Sequence, residues 1–308
     1  MKTAIVGYTG FVGQNLCLSH AFDAKYNSKN IIEAFGSKPD LLVYAGIRAE
    51  MFTANHYPEQ DLANIKEAIE NIKKINPRKL VLISTISVYP IFEGDENSHI
   101  DENEGTAYGR NRRYLERWVE ENFNEYLIVR LPALYGQGIK KNFIFDMIHF
   151  IPALLKTQKY NELFAGNELS SLYQDREDGF YKCIAETKDD RKKLRVFFEK
   201  AGFSALNFTD SRSEYQYFNL GNLWGIIEKA MEHNIRLLTI ATEPIISAEL
   251  FEYIYNKSFV NEVSSVYPVE HLKSIHASVF GGENGYLYSK QQLLEDIKLF
   301  INGQMKND

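Results

Sequence analysis

Glycines recurring at every third position are the first residues in this 308-residue sequence whose pattern could do chemistry. In GYTGFVG, Gly7, Gly10 and Gly13 follow a short β-branched and apolar run, Thr3 to Val6. They precede a segment, QNLCLSHAF, that reads as a short helix. Such a turn lets backbone approach a pyrophosphate closely while the helix N-terminus supplies donors. A ligand-free strand-to-helix turn can carry the same glycines. The place of this loop at the first strand of a βαβ series favours a dinucleotide, NAD(P), held by Gly7, Thr9, Gly10, Phe11, Val12 and Gly13. No Asp or Glu closes the second strand to take a ribose 2′-hydroxyl, and YNSKN stands there instead. Ser28 and Lys29 could meet a 2′-phosphate, which leans the expectation towards NADP, although a solvated loop lysine has the same look.

Other chemistries find less support. The histidines are scattered, with no HExxH or similar ligand cluster, so no metal is expected. Cys17 and Cys183 lack the spacing of a zinc site or disulfide framework and read as spectators in a reducing compartment. A net charge of -6 with interspersed signs gives no basic stripe for nucleic acid, so a small polar ligand is expected. The start of the chain is too glycine-rich for a secretory signal and no apolar run reaches membrane-spanning length, which predicts a cytoplasmic protein without a membrane partner.

The elements that must position the loop alternate. A weak second strand is expected at Phe22 to Tyr26, a brief helix near Ile31 to Phe35, and a buried strand in DLLVYAG. DLANIKEAIENIKKI carries helical spacing from Asp61 and stops before Pro77; KLVLISTISVYP then supplies another buried strand. A helix from about Tyr108 to Glu121 precedes the strand YLIVRLPALYG. This rhythm predicts an α/β fold with a doubly wound parallel sheet of Rossmann type. Residues 159–212 turn charged and aromatic and are expected to form a mostly helical insertion. NLWGIIEKAMEHNIRLLTIATEP returns to helix and strand, and ISAELFEYIYNKSF looks like a helix capped at Ser247. The domain expectation is a dinucleotide-binding part, 1–158 with 214–245, and a substrate or lid lobe, 159–213 with 246–308. The insertion would cover the substrate or make a homodimer contact.

GYTGFVG, DLLVYAG, Asn64, ISTISVY, AYGRNRRYLE and VRLPALYG stand in the order and approximate spacing of the extended short-chain dehydrogenase/reductases, also called the NAD-dependent epimerase/dehydratase family. The chain resembles that family over roughly residues 1–145, and more faintly from Tyr215 onward. The resemblance implies further cofactor contacts from Ala45, Gly46, Asn64, Ser84, Tyr108, Arg112 and Pro132. It also implies a catalytic set. In the family a Ser or Thr after the central strand, and a Tyr followed four residues later by Lys, carry proton transfer linked to hydride transfer; here those places hold Thr85, Tyr108 and Arg112. Thr85 would polarise the substrate oxygen while Tyr108 gives or takes its proton. Residues four apart share a helix face, so the cation is expected under the phenol, lowering its pKa. Arg for Lys is the main departure, because a planar guanidinium presents its charge and donors differently from an ammonium. A plainer account pairs Arg112 with Glu116, a surface contact of about 0.3–0.5 kcal/mol.

Family dehydratases carry Asp-Glu directly after the catalytic Thr, whereas Ile86 and Ser87 follow here. The resemblance therefore implies an oxidoreductase or epimerase acting on a nucleotide-linked sugar. Its substrate would meet Ser87, Asn142 near Lys140 and Lys141, and Arg212 and Tyr215, near the place where many relatives carry a phosphate-binding Arg. YQYF around Tyr215 also fits a core strand. From a different class, a protein of this fold could bind dinucleotide without turnover, as a sensor or scaffold, and the Arg at the Lys position suits that alternative.

Overall fold

The computed structural model describes residues 1–305. Its central sheet is built from strands β1 (Thr3–Val6), β2 (Ala24–Tyr26), β3 (Leu41–Tyr44) and β4 (Lys79–Thr85). The short β5 (Glu93–Gly94) lies outside it, and β6 (Tyr126–Leu131) and the strand Leu237–Thr239 complete it. All six sheet strands are parallel, in the order Leu237–Thr239, β6, β4, β3, β1, β2. The chain thus winds one way from β1 to β2 and the other way from β3 outward. Between β1 and β3 lies the switch point at which open α/β sheets bind ligands.

Period-two alternation explains the layers. Ile5, Leu41, Val43, Val81 and Val129 face one core with Leu16 of α1 (Phe11–Ser19) and the helix Leu223–Glu232. Val6, Leu42, Tyr44, Leu82 and Ile128 face the other, formed with α3 (Pro58–Ile75) and α4 (Ala107–Asn122). A short α2 (Met51–His56) precedes α3. α3 starts at Pro58, earlier than its apolar spacing indicates, because proline suits the first helical turn, and stops at Asn76 in the left-handed region. Pro132 divides the segment read as one strand. β6 ends at Leu131, and β7 (Ala133–Tyr135) leaves the sheet to pair with Tyr217–Asn219.

The chain divides into two compact units, Met1–Ile139 with Glu214–Ile245 and Val269–Asp296, and Lys140–Ser213 with Ile246–Pro268 and the residues from Ile297 on. Sequence texture placed the first break near residue 158, but Leu154–Lys156 is already an edge strand of the second unit's sheet. Residues 269–296 return to the first unit because Leu272 N donates to Gln216 and Leu287 N to the Ala241 carbonyl.

The second unit is mostly helical, as its texture indicates, but it also holds a small sheet that the sequence did not show. Alongside the helices Thr157–Phe164 and Lys188–Ala201 it has an antiparallel sheet ordered Leu154–Lys156, Phe180–Cys183, Tyr173–Asp175. Arg176 to Gly179 turns the hairpin, with Glu177 and Gly179 both at positive φ, a tight-turn signal that the surrounding charge masked. Leu155, Phe164, Tyr173, Leu194 and Phe198 form its core. Ser247 does not cap its helix: Ile246 is the cap residue, and the Ser247 hydroxyl donates to the Ser213 carbonyl.

Candidate functional site

β1 delivers the glycine loop to the switch point. Gly7 has φ +92°, and a Cβ there would stand 2.4 Å from the Ala45 carbonyl oxygen; one at Gly13 would stand 2.1 Å from the Gly7 oxygen. Both are close-packing positions. Gly10 differs, being exposed and extended (φ -79°), and a Cβ there meets only the Gly7 oxygen, at 3.3 Å. It is the N-cap residue of α1, and no side chain caps that helix. The amides of the first turn, Phe11 to Gly13, therefore keep donors for a ligand. Asn15, unremarked in the sequence, is buried and fixes α1 against the loop after β7: its Nδ2 donates to the Phe11 and Gln137 carbonyls (2.8 and 2.9 Å). Across the switch point Gly46 packs on Val6, where a Cβ would stand 2.9 Å from Cγ1. After β2, Asn27 and Asn30 close a turn that leaves Ser28 and Lys29 exposed.

The second group forms where α4 meets the end of β4. Thr106 Oγ1 accepts from Gly109 N, and Asn55 Oδ1 from Tyr108 N (3.0 Å), fixing the first turn. Gly109 allows the helix to lie on the segment after β4, because a Cβ there would stand 1.9 Å from the Ser87 oxygen. Tyr108 is buried, and Thr85 and Arg112 stand close enough to favour ionisation of its phenol. Thr85 Oγ1 accepts from Ser87 N (3.1 Å) and donates to Ser87 Oγ (3.3 Å). The structure thus brings Thr85, Ser87, Tyr108 and Arg112 together.

Arg112 lies with its guanidinium carbon 4.1 Å from the centre of the Tyr108 ring. Its partner is not Glu116, as the plainer account had it. Nη1 donates to Asp61 Oδ2 (2.5 Å) and Nη2 to the Arg48 carbonyl (2.7 Å). Asn111 Nδ2 also donates to Asp61 (2.8 Å). The phenol pKa is not lowered overall. Burial pushes it up, Arg112 pulls it back and Asp61 adds to the rise. Asn55, Asp61 and Gly109 escaped sequence reasoning; only Gly109, directly after Tyr108, gave a signal that could have been used.

Glu116 belongs to a separate buried network. Its carboxylate accepts from Arg130 Nε and Nη2 (3.1 and 2.7 Å), Arg113 Nη1 (3.1 Å) and Ser84 Oγ (2.5 Å). The Ser84 hydroxyl expected near the cofactor is therefore engaged inside the fold. Arg130 Nη1 reaches Tyr89, whose hydroxyl also meets Thr239.

The other expected residues scatter. Asn64 is exposed on α3, and Pro132 is buried between β6 and β7. Tyr215 is half-buried in the first unit, its ring 5.8 Å from that of Tyr217. Asn142, in the second unit, caps a short helix by accepting from Phe145 N; Lys140 and Lys141 beside it are exposed. Arg212 is committed within that unit to Asp210, Glu262, the Ser264 carbonyl and the Tyr267 ring, and so is not available to a phosphate. Its hydrogen bond holds Asp210 well below the ordinary carboxylate range. Among the described residues no His, Cys, Asp and Glu cluster could hold a metal, and no helix is long and apolar enough to cross a membrane.

With this geometry in view, the family described as RmlD substrate binding domain matches residues 1–159. No curated protein sequence matches the chain. Among solved structures, the chain is similar to dTDP-4-dehydrorhamnose reductase from Bacillus anthracis str. Ames in complex with NADP, with 16% identity, 97% of this chain and 99% of that chain covered, and a TM-score of 0.64. RMD from Pseudomonas aeruginosa complexed with NADPH aligns over 100% of both chains at 13% identity and a TM-score of 0.61. UDP-N-acetylglucosamine 4-epimerase from Methanobrevibacter ruminantium aligns at 10% identity over 100% of this chain and 99% of that one, with a TM-score of 0.60.

Proposed function

We propose, for a chain that belongs to the RmlD substrate-binding-domain family, an NADPH-dependent reduction of a keto group on a nucleotide-linked sugar. The observation that carries this reading is the Thr85, Tyr108 and Arg112 arrangement, at the same edge of the sheet as the glycine loop. The loop fits a dinucleotide: Gly10 leaves open the space over uncapped α1 amides that a pyrophosphate requires. Ser28 and Lys29, with no carboxylate at the end of β2, suit a 2′-phosphate, and the NADP and NADPH held by the Bacillus and Pseudomonas structures support the same cofactor. Ala45 and Gly46 would line the other side of the crevice.

When bound, the reduced nicotinamide supplies the hydride to the carbonyl carbon. Tyr108 gives the proton to the carbonyl oxygen, and Thr85 hydrogen-bonds that oxygen as negative charge grows on it. Arg112 then faces the phenolate that remains. Burial keeps the phenol protonated beforehand, the form a proton donor needs. Epimerisation begins instead with removal of a hydroxyl proton by phenolate, which is why reduction is the preferred direction. Ser87, beside Thr85, and Tyr215 are assigned to substrate within the first unit. A dinucleotide sensor is the second reading, favoured by the engagement of Arg112 with Asp61 and Arg48 rather than with free space.

The test is NADPH oxidation with keto-sugar nucleotides, dTDP-linked ones first. Tyr108→Phe should keep cofactor affinity and lose about 10²-fold or more in turnover. Turnover at the wild-type rate in that variant removes the catalytic assignment. Cofactor binding without any turnover in the wild-type chain would leave the sensor.

A further inference from the structure

Asp61 stands on α3, outside the residues that the glycine loop and the Tyr108 group define, yet it faces the cation of that group at 2.5 Å. It is only slightly exposed, with 11% of its side chain accessible against 5% for Arg112. Its Oδ2 is also fixed by Asn111 Nδ2, and Asn111 holds the Pro58 carbonyl as well (3.1 Å). Asn55 of α2 holds Tyr108 N. One carboxylate is therefore locked between α3 and α4 and grips the guanidinium that lies across the phenol ring, while the other η nitrogen pins the loop before α2 through the Arg48 carbonyl. A lysine ammonium, a compact point charge, could not keep the stacked position and both η contacts at once.

We propose that Asp61 is a positioning residue that sets the charge state of Tyr108 through Arg112: it holds the guanidinium in place and cancels part of its field. The inference rests on Tyr108 being the proton donor of the proposed reaction. The charged groups facing the phenol are Arg112 from its own helix and Asp61 from α3, while β4 and the segment after it contribute the neutral hydroxyls of Thr85 and Ser87. The two charges act on the phenol in opposite senses. Removing the carboxylate charge should ease its ionisation, and removing the guanidinium should oppose it. A purely structural pair behaves differently, since loss of either partner would weaken the fold with the same sign and leave the phenol where it was.

The experiment needs no substrate. Tyrosine labelled at Cζ is followed by NMR against pH, the Tyr108 signal being identified by its loss in Tyr108→Phe. Asp61→Asn, nearly isosteric and still able to accept from Asn111, should begin to titrate at lower pH than wild type. Arg112→Gln should begin at higher pH, and the double variant should fall back towards wild type. Thermal unfolding of each variant verifies folding, and Asp61→Ser replaces Asp61→Asn if the latter fails, with the same lower onset expected because it too removes the carboxylate charge. Coincident onsets, or no onset in any of the chains, overturns the proposal. Because turnover by Tyr108→Phe is measured separately, failure here and failure of the catalytic reading are distinguishable.

Discussion

Helix α4 supplies one member to each of two buried arginine–carboxylate pairs about one turn apart, Arg112 with Asp61 and Glu116 with Arg130, and they differ in what surrounds them. At Glu116 both carboxylate oxygens and the arginine are closed in by protein: Ser84, Arg113, Arg130 and Tyr89 take up the hydrogen-bonding capacity, and Glu116 and Arg130 are 0% and 2% exposed. At Arg112 the pair is nearly as buried, but it backs a phenol and the half-buried hydroxyls of Thr85 and Ser87, which bond to one another and are what is open at this site. The same chemistry thus serves two purposes. The closed network fixes where α4 lies on β4 and β6, and the open one presents groups at the ligand edge of the sheet. A closed polar network is costly to interrupt because a lost partner leaves buried charge uncompensated, whereas an open one can lose a group and keep its fold.

The largest expected effect is therefore on the closed side. Arg130→Met leaves Glu116 buried with only Arg113 and Ser84, and should lower stability by about 3–5 kcal/mol, read from denaturant unfolding. Whatever protein remains folded should bind NADPH as before. A loss under about 1 kcal/mol would show that the two networks do not differ as described.

A smaller effect is expected at the far end of the open side. Gly10→Ala meets no backbone closer than the Gly7 oxygen at 3.3 Å, so the chain should fold while its methyl group holds an anion off the α1 amides. Calorimetry should show NADPH affinity reduced about tenfold, or about 1.4 kcal/mol. Gly13→Ala should instead disturb folding itself, because its methyl would overlap the Gly7 carbonyl. Unchanged affinity in a folded Gly10→Ala chain would detach the loop from cofactor binding.

The closed and open networks also differ in how far the sequence revealed them. The apolar runs of DLLVYAG and KLVLIST are legible as buried strands because neither face meets water, and both occupy the centre of the sheet. Gly7 and Gly13 are legible because their spacing reflects backbone contact within one local turn. Tyr108 and Arg112 share a helix, so their juxtaposition also follows from spacing. Asp61 and Arg48 lie more than fifty residues earlier and reach Arg112 only through packing of α3 on α4; a neighbour four residues away, Glu116, was the only partner that local spacing could offer. The hairpin of the second unit stayed hidden for another reason: Phe180 to Cys183 alternates imperfectly, and the charges around it resemble those of an exposed helix.

The smallest effect expected is that of Arg112→Lys, and its smallness is what the openness of that site implies. The ammonium can remain near Asp61 but gives up the Arg48 carbonyl and the stacked position over the ring, a loss of about 1 kcal/mol in stability. The charge count beside the phenol is unchanged, so turnover should stay within a few-fold of wild type. The pH profile should keep its sense. Tyr108 must be protonated to act as donor, so reduction is fastest below the folded-state pKa of the phenol and declines as pH rises through it. The same linkage acts on stability: a phenol whose pKa is raised by burial favours the folded state below its unfolded pKa, and that contribution is lost as pH climbs past the folded value. In Arg112→Lys the alkaline decline should therefore survive, displaced by whatever compensation the looser cation no longer provides. A decline that vanished, or a loss of stability as large as that of Arg130→Met, would mean that the Arg112 pair is as closed as the Glu116 network and that its nearness to Tyr108 carries no chemistry.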